Sequence, residues 1–206
     1  MARVTALKAQ ATRTGLLEAA KQVLRTQGYA GLSTRAVAAV ARAPMSQIQY
    51  HFGSKEGMVL ALFEYMNAQL LARQTAMFAD PGLTLSQKWD RACDYLDDDL
   101  ASGYVRVLQE LLAAGWSNPE IGRVVGDGLK GWLALLTDLA REAEDRYGPL
   151  GPFAAEDIAA LVGQSFIGAE AVLLLGLEDR GLPVRRALRR FGHVIRWMEN
   201  QESRGR

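Results

Sequence analysis

The sequence predicts an all-α chain: an N-terminal three-helix head followed by a larger helical body, about nine helices in total. Three observations carry this. Ala and Leu are abundant and β-branched residues sparse, a composition that favours helix. Apolar residues recur at helical spacing along most of the 206 residues. Gly, Pro, Ser and Asn mark the intervals where helices stop and start. A hydrophobic content of 49% and a charged content of 23% are ordinary for a globular protein with a real core.

Taken in order, residues 1–9 read as a loose basic arm. From Ala11 to Gln27, Leu16, Ala20, Val23 and Leu24 fall at helical spacing, and Gly28 supplies a stop. Ser33 or Thr34 caps a short second helix whose Val37 and Val40 face inward. Pro44 suits a helix start, and residues 45–52 form a third short helix. Gly53 and Ser54 break it, and Ser54 caps a long fourth helix opening at Lys55 and Glu56. Val59, Leu62, Phe63, Met66 and Leu70 share one side of that helix. Asp80-Pro81-Gly82 is a turn. Further helices are expected over 84–101, 104–114, 119–147, 155–179 and 184–201, with Asn118 capping the one that begins at Pro119.

Net charge is only +1, but it is unevenly placed. Residues 1–55 hold eight basic side chains and one acid, Glu18; the remainder holds 16 basic and 22 acidic. A basic head on an acidic body suits a phosphate-binding module on a non-binding support, and a solvated basic surface gives the same count. Cys93 is the single cysteine, which excludes an intrachain disulfide and points to a small buried thiol in a reduced, cytoplasmic protein. The first ten residues lack the apolar stretch of a secretory signal.

The two short helices at 33–41 and 45–52 are joined by about three residues, the spacing of a helix-turn-helix whose second helix enters the major groove. That helix reads Met45, Ser46, Gln47, Ile48, Gln49, Tyr50, His51 and Phe52. Ile48 and Phe52 are four apart and pack inward. Ser46, Gln47, Gln49, Tyr50 and His51 populate the other side, all able to hydrogen-bond and none acidic; Gln can also pair with adenine in a bidentate way. Ser33, Thr34 and Arg35 open the first short helix and Lys55 the long one, where side chains and helix N-termini can hold phosphates.

These residues resemble the DNA-binding region of TetR-type transcriptional regulators. The resemblance lies in Ala19-Ala20, Gly28-Tyr29, Ser33-Thr34, Val37-Ala38, Tyr50-His51-Phe52 and Lys55-Glu56, in that order and spacing. It implies DNA contacts from Ser46, Gln47, Gln49, Tyr50 and His51, and phosphate contacts from Ser33, Thr34 and Lys55. Met45 and Arg35 join the candidate contact set. The chain departs from the family pattern at three places. Arg42 stands where Gly is usual, as an added phosphate contact or a solvated turn residue. Pro44 stands where a Ser cap is common, and Gln49 replaces an aromatic. The implied division is a DNA-binding domain at 1–54 and an effector-binding and dimerisation domain at 55–206.

In the body, residues 158–177 are apolar apart from Gln164, Ser165 and Glu170. A helix apolar all round must be buried all round. A membrane span is disfavoured by Glu170 in mid-run, by the lack of a second such segment and by acidic flanks. The better reading is a helix that meets its own core on one face and a second copy on another, with Gly163, Gly168 and Ala171 allowing close approach. The last helix carries a stripe of Ala187, Phe191, Val194, Ile195 and Met198 opposite Arg185, Arg186, Arg189 and Arg190, the arginines forming a solvated or salt-bridged face. The resemblance implies a four-helix homodimer interface, with candidates Gly163, Ile167, Gly168, Ala171, Leu174, Phe191, Val194 and Ile195.

A hydrophobic or aromatic small-molecule effector is expected among the body helices. Candidate lining residues are Phe63, Met66, Met77, Trp89, Trp116, Trp132, Phe166 and Glu170, each equally readable as core. Glu170 needs a partner from the protein or from a ligand. No cofactor or metal site is expected: the two histidines have no ligand spacing, and Asp94, Asp97, Asp98 and Asp99 read as a solvated acidic helix end. Nothing argues for catalysis. The expectation is a regulator acting as a repressor, released from palindromic double-stranded operator DNA by its ligand; the alternative is a helical small-molecule-binding protein or enzyme whose basic head is incidental.

Overall fold

The computed structural model describes the backbone of residues 2–205 and the side chains of residues 5–201. Among these the chain forms nine helices: α1 (Ala2–Gly31), α2 (Thr34–Ala41), α3 (Met45–Phe52), α4 (Lys55–Phe78), α5 (Leu85–Ser102), α6 (Tyr104–Gly115), α7 (Pro119–Tyr147), α8 (Ala155–Leu174) and α9 (Val184–Gly205).

Most boundaries follow local chemistry visible in the sequence. Ser33 Oγ accepts from the Ala36 N–H, so Ser33 and not Thr34 caps α2. Ser54 Oγ accepts from the Gly57 N–H at the start of α4, and Asn118 Oδ1 accepts from the Glu120 and Ile121 N–H groups at the start of α7. Asp80 Oδ1 accepts from the Gly82 N–H in the turn after α4. Thr84 and Gln87 close a reciprocal capping box ahead of α5.

Several boundaries differ from expectation, α9 running to Gly205 among them. Residues 2–9 are helical, not a loose arm, because Ala, Leu, Lys and Gln dominate there and no breaker precedes Gly15. Gly28, at φ 68°, interrupts α1 as expected, and one further turn follows it. α8 ends five residues early. Gly176 takes φ 64°, its N–H bonds the Leu173 carbonyl and the Leu177 N–H bonds the Val172 carbonyl, which is a Schellman stop. Val40, expected inside, is only half-buried.

The chain forms two compact units, Met1–Ala68 with Ala101–Val125, and Gln69–Leu100 with Gly126–Arg206. The boundaries fall inside α4, α5 and α7. The reason lies in the first unit's core, where α6 and the first half of α4 contribute Val105, Val107, Met58, Leu62 and Phe63 beside Leu16, Leu17, Val23, Val37 and Ile48. Phe63 stacks on Tyr104 with ring centroids 6.0 Å apart, and the Tyr104 hydroxyl donates to Asn67 Oδ1. At Gly103 any Cβ would lie 2.7 Å from Leu24 Cγ, so only glycine lets α6 start against α1.

The second unit packs α5, α7, α8 and α9 around Trp89, Cys93, Leu96, Leu136, Ala159, Phe166, Leu188 and Ile195. α8 is long and apolar enough to cross a bilayer, yet Ala159, Gly163, Phe166, Ala169 and Glu170 are buried on it. A Cβ at Gly163 would sit 2.7 Å from Leu133 Cδ2, so this glycine serves α7–α8 packing within the chain. The expected solvated acidic end of α5 is instead an ion-pair seam with α9: Asp90 with Arg196 at 3.0 Å, Asp94 with Arg189 at 2.8 Å and Asp97 with Arg185 at 2.7 Å. Asp99 receives both Arg73 contacts, at 2.8 and 2.9 Å, but burial outweighs that charge and pushes its carboxyl up to about 6. Burial likewise pushes the Cys93 thiol up to about 11, against the pull of Arg189.

Candidate nucleic-acid interface and ligand cavity

Ile48 decides how α3 is presented. Its side chain is 1% exposed and anchors the helix, while Tyr50, two residues on, is 77% exposed. Met45, Ser46 and Gln49 are exposed, Gln47 and His51 half-exposed, and Phe52 half-buried. The outward side of α3 is therefore a row of hydroxyl, amide, phenol and imidazole groups without an acid. The Tyr50 and His51 rings meet edge-on at 4.9 Å, which orients both.

The flanks of α3 are fixed by backbone geometry. Arg42 sits at φ 51°, the one non-glycine residue in the left-handed region among those described, and its position ends α2. Pro44, at φ −61°, starts α3 without a side-chain cap. After α3, Gly53 takes φ 72° and Ser54 restarts the helix. Gly57, which the sequence reasoning missed, is required here: its Cβ would fall 2.2 Å from the Phe52 carbonyl oxygen. The signal was the Lys-Glu-Gly order directly after the Ser cap.

Lys55 is exposed at the first turn of α4. Its neighbour Glu56, which would repel phosphate, accepts a hydrogen bond from Asn118 Nδ2 at 3.2 Å. Arg35 is exposed on α2, Thr34 is half-exposed, and Ser33 Oγ accepts for the α2 cap while its O–H can still donate. Arg42 is exposed.

In the second unit a cavity of about 430 Å³ opens between α5, α7, α8 and α9. Of the candidate ligand residues it is lined by Trp89 and Phe166. Trp132 packs edge-on against Phe166 and donates its N–H to Gln74 Oε1, while Met77 joins the core cluster of Phe78, Leu136 and Ala159. Phe63 and Met66 are core residues of the first unit, and Glu170 is buried without lining the cavity. Trp116 is 87% exposed at the end of α6 and packs in neither place. Sequence reasoning missed Leu136, Leu139, Ala140 and Ala143 of α7 and the Pro149–Gly151 loop. Small alanines facing large aromatics were the available signal, since they leave volume unfilled.

A second hollow, of about 730 Å³, runs along α8 and α9, lined by Phe153, Leu161, Gly168, Val172, Ala187 and Phe191 among others. Of the candidate dimer residues, Gly168, Phe191 and Val194 are exposed, and Ile167, Ala171 and Leu174 half-exposed. Gly163 and Ile195 face inward, against α7 and into the core respectively. Phe191 and Ile195 also line the cavity. Leu161, Leu175 and Trp197 extend the exposed apolar face.

Two short helices around a left-handed turn, the second with a buried anchor and an acid-free outer row, define a helix-turn-helix DNA-binding protein. Comparison narrows the class. Residues 16–62 match the family described as bacterial regulatory proteins, tetR family. The chain is 29% identical over 192 residues to the HTH-type transcriptional regulator CymR of Pseudomonas putida, covering 86% of each chain. Its fold is similar to that of a transcriptional regulator from Saccharomonospora viridis in complex with choline, at 20% identity and a TM-score of 0.74 over 88% of this chain and 95% of that one. It is also similar to FadR from Bacillus subtilis in complex with stearoyl-CoA, at 15% identity and a TM-score of 0.69, covering 88% and 96%. Residues 16–62 thus carry a tetR-type helix-turn-helix, and most of the chain is similar to a helix-turn-helix transcriptional regulator.

Proposed function

We propose that two copies of this chain pair through the exposed apolar face of α8 and α9 and grip a palindromic operator with their two α3 helices, as a cytoplasmic repressor. The observation that carries the reading is the outer row of α3, held outward by buried Ile48 and free of acids. The functional division is residues 1–54 for DNA contact, joined by Lys55, and the rest of the chain for effector and partner. Base contacts come from Ser46, Gln47, Gln49, Tyr50 and His51, with Met45 at the edge; Ser33, Thr34, Arg35, Arg42 and Lys55 serve phosphates. Two-fold pairing of the subunits makes the operator palindromic.

Release follows from a ligand that favours one spacing of the heads over another. Its site is the cavity of about 430 Å³, a volume suited to a small organic molecule. The lining includes Trp89, Leu136, Ala140, Val162 and Phe166 and no ionisable side chain. The one indole N–H of Trp89 is already satisfied by the Leu188 carbonyl oxygen. The relatives hold choline and stearoyl-CoA. This cavity has neither an acid to neutralise a cation nor a base to hold phosphates, which favours an uncharged apolar or aromatic effector.

Gel-shift on DNA from upstream of the protein's own gene tests the reading. The dimer is expected to prefer that DNA over a random duplex at matched salt. Equal affinity for the two would overturn it.

A further inference from the structure

We propose that residues 5–14 of α1 form a second DNA-contacting element, a helical arm that lies along the phosphate backbone beside the stretch read by α3. The proposal rests on α3 being the reading helix.

The arm owes its helix to local composition and to continuity with the rest of α1, not to a core it packs into. No residue from 5 to 15 is buried; Leu16 is the first that is. The segment propagates from the buried part of α1 and lies largely open to solvent. Its chemistry selects the surface. From Met1 to Leu17 the sequence carries Arg3, Lys8 and Arg13 and no acid. The first acid, Glu18, accepts a hydrogen bond from the Tyr65 hydroxyl. Neither Lys8 nor Arg13 makes an ion pair among the described residues. Between residues 5 and 15, Leu7 is the one large apolar side chain, so the arm lacks the apolar face a membrane or a partner helix needs. What remains are the cations Lys8 and Arg13 with Gln10, suited to phosphate oxygens, while the Thr12 hydroxyl donates to the Lys8 carbonyl oxygen.

Arg13 fixes the position. Its guanidinium carbon lies 5.6 Å from the ring centroid of Phe52, the last residue of α3. The arm therefore departs from α1 beside the end of the reading helix. A guanidinium stacked on a ring keeps its N–H edge available, and the stack holds the side chain in place before any phosphate arrives. Phosphates flanking the half-site are the surface continuous with α3 that complements this charge.

The test uses the full-length protein and fluorescence anisotropy across a potassium chloride series, on the upstream DNA and on a random-sequence duplex. In Lys8→Gln/Arg13→Gln the salt slope should fall by about one for each phosphate no longer neutralised, alike on both duplexes. Preference between duplexes should persist, and the hydroxyl-radical footprint should shorten at its outer edges. Arg13→Lys, which keeps the charge, should retain most of the slope. An unchanged slope in the double variant overturns the arm. So does a lower melting temperature with an unchanged slope, because Arg13 would then only brace Phe52. Should Tyr50→Ala lose duplex preference while the double variant binds like wild type, the arm alone is wrong. Should the wild type bind neither duplex, the arm and the regulator reading fall together.

Discussion

The indole N–H of Trp89 donates to the carbonyl oxygen of Leu188 at 2.7 Å, fastening α5 to α9 beside the apolar cavity. Two further contacts sharpen the join. Gly192 lies so close that a Cβ there would be 2.9 Å from Trp89 Cδ1, and the Trp89 and Phe191 rings meet at 4.9 Å. Trp89→Phe keeps most of the apolar area but removes this hydrogen bond, leaving the Leu188 carbonyl oxygen only its bonding within α9. Urea unfolding should show a loss of about 0.5–1.5 kcal/mol. No change in midpoint would mean that this hydrogen bond does not hold the two helices together.

Gly57→Ala should damage DNA binding far more than its size suggests. The added methyl meets the Phe52 carbonyl oxygen at 2.2 Å, a backbone atom that moves only with α3 itself. DNA affinity should drop at least tenfold with little loss of total helix by circular dichroism. Gel-shift and far-ultraviolet spectra on the same sample check both halves.

Tyr50 and Lys55 should fail in different ways. Tyr50 is 77% exposed, so Tyr50→Ala should leave the melting temperature within a degree or two while weakening the preferred duplex by about 1–3 kcal/mol. Lys55→Ala should weaken all duplexes alike and reduce the salt slope by about one, the share of a single phosphate. Sequence-selective loss from Lys55→Ala, or uniform loss from Tyr50→Ala, would reverse their assigned roles.

The contrast between head and body shows what a sequence can reveal. Helix caps and turns are local: Ser33, Ser54, Asn118 and Gly28 act within a few residues, so their roles are legible. α3 is legible because Ile48 and its polar neighbours alternate within one short helix. The cavity is not, because it is a gap between helices distant in sequence. Trp116 and Trp132 look alike in a sequence, yet one is almost fully exposed and the other hydrogen-bonded to Gln74. Gly163 and Gly168 likewise sit on one helix, five residues apart; the first is pressed against Leu133 and the second meets nothing within 4 Å. The acidic face of α5 reads as solvated in the sequence because its arginine partners lie some 90 residues away, on α9.

Arg42→Gly separates backbone strain from DNA contact at one position. Arg42 holds φ 51°, which costs a non-glycine residue about 1–2 kcal/mol, partly offset by the entropy that glycine loses on folding. The variant should therefore gain about 0.5–1 kcal/mol of stability. If Arg42 also contacts phosphate, its salt slope for DNA should fall at the same time. A more stable protein with an unchanged slope would leave Arg42 as a solvated turn residue.

Asp99 should give the second unit an unusual acid-side pH dependence. Burial raises its carboxyl from the ordinary 3.8 to about 6, although Arg73 pulls the other way. The folded state thus holds a proton that the unfolded chain has released between about pH 4 and 6. Stability from this group is fully present below about pH 4 and is lost as pH rises through about 6. Glu156, held below the ordinary carboxylate range by a backbone hydrogen bond and by Arg141, has the opposite slope, so the useful quantity is wild type minus Asp99→Asn, measured by urea unfolding at each pH. That difference should fall by at most about 3 kcal/mol between pH 4 and 6 and stay flat above. A difference that rises with pH would mean that the Arg73 ion pair, and not burial, governs this carboxyl.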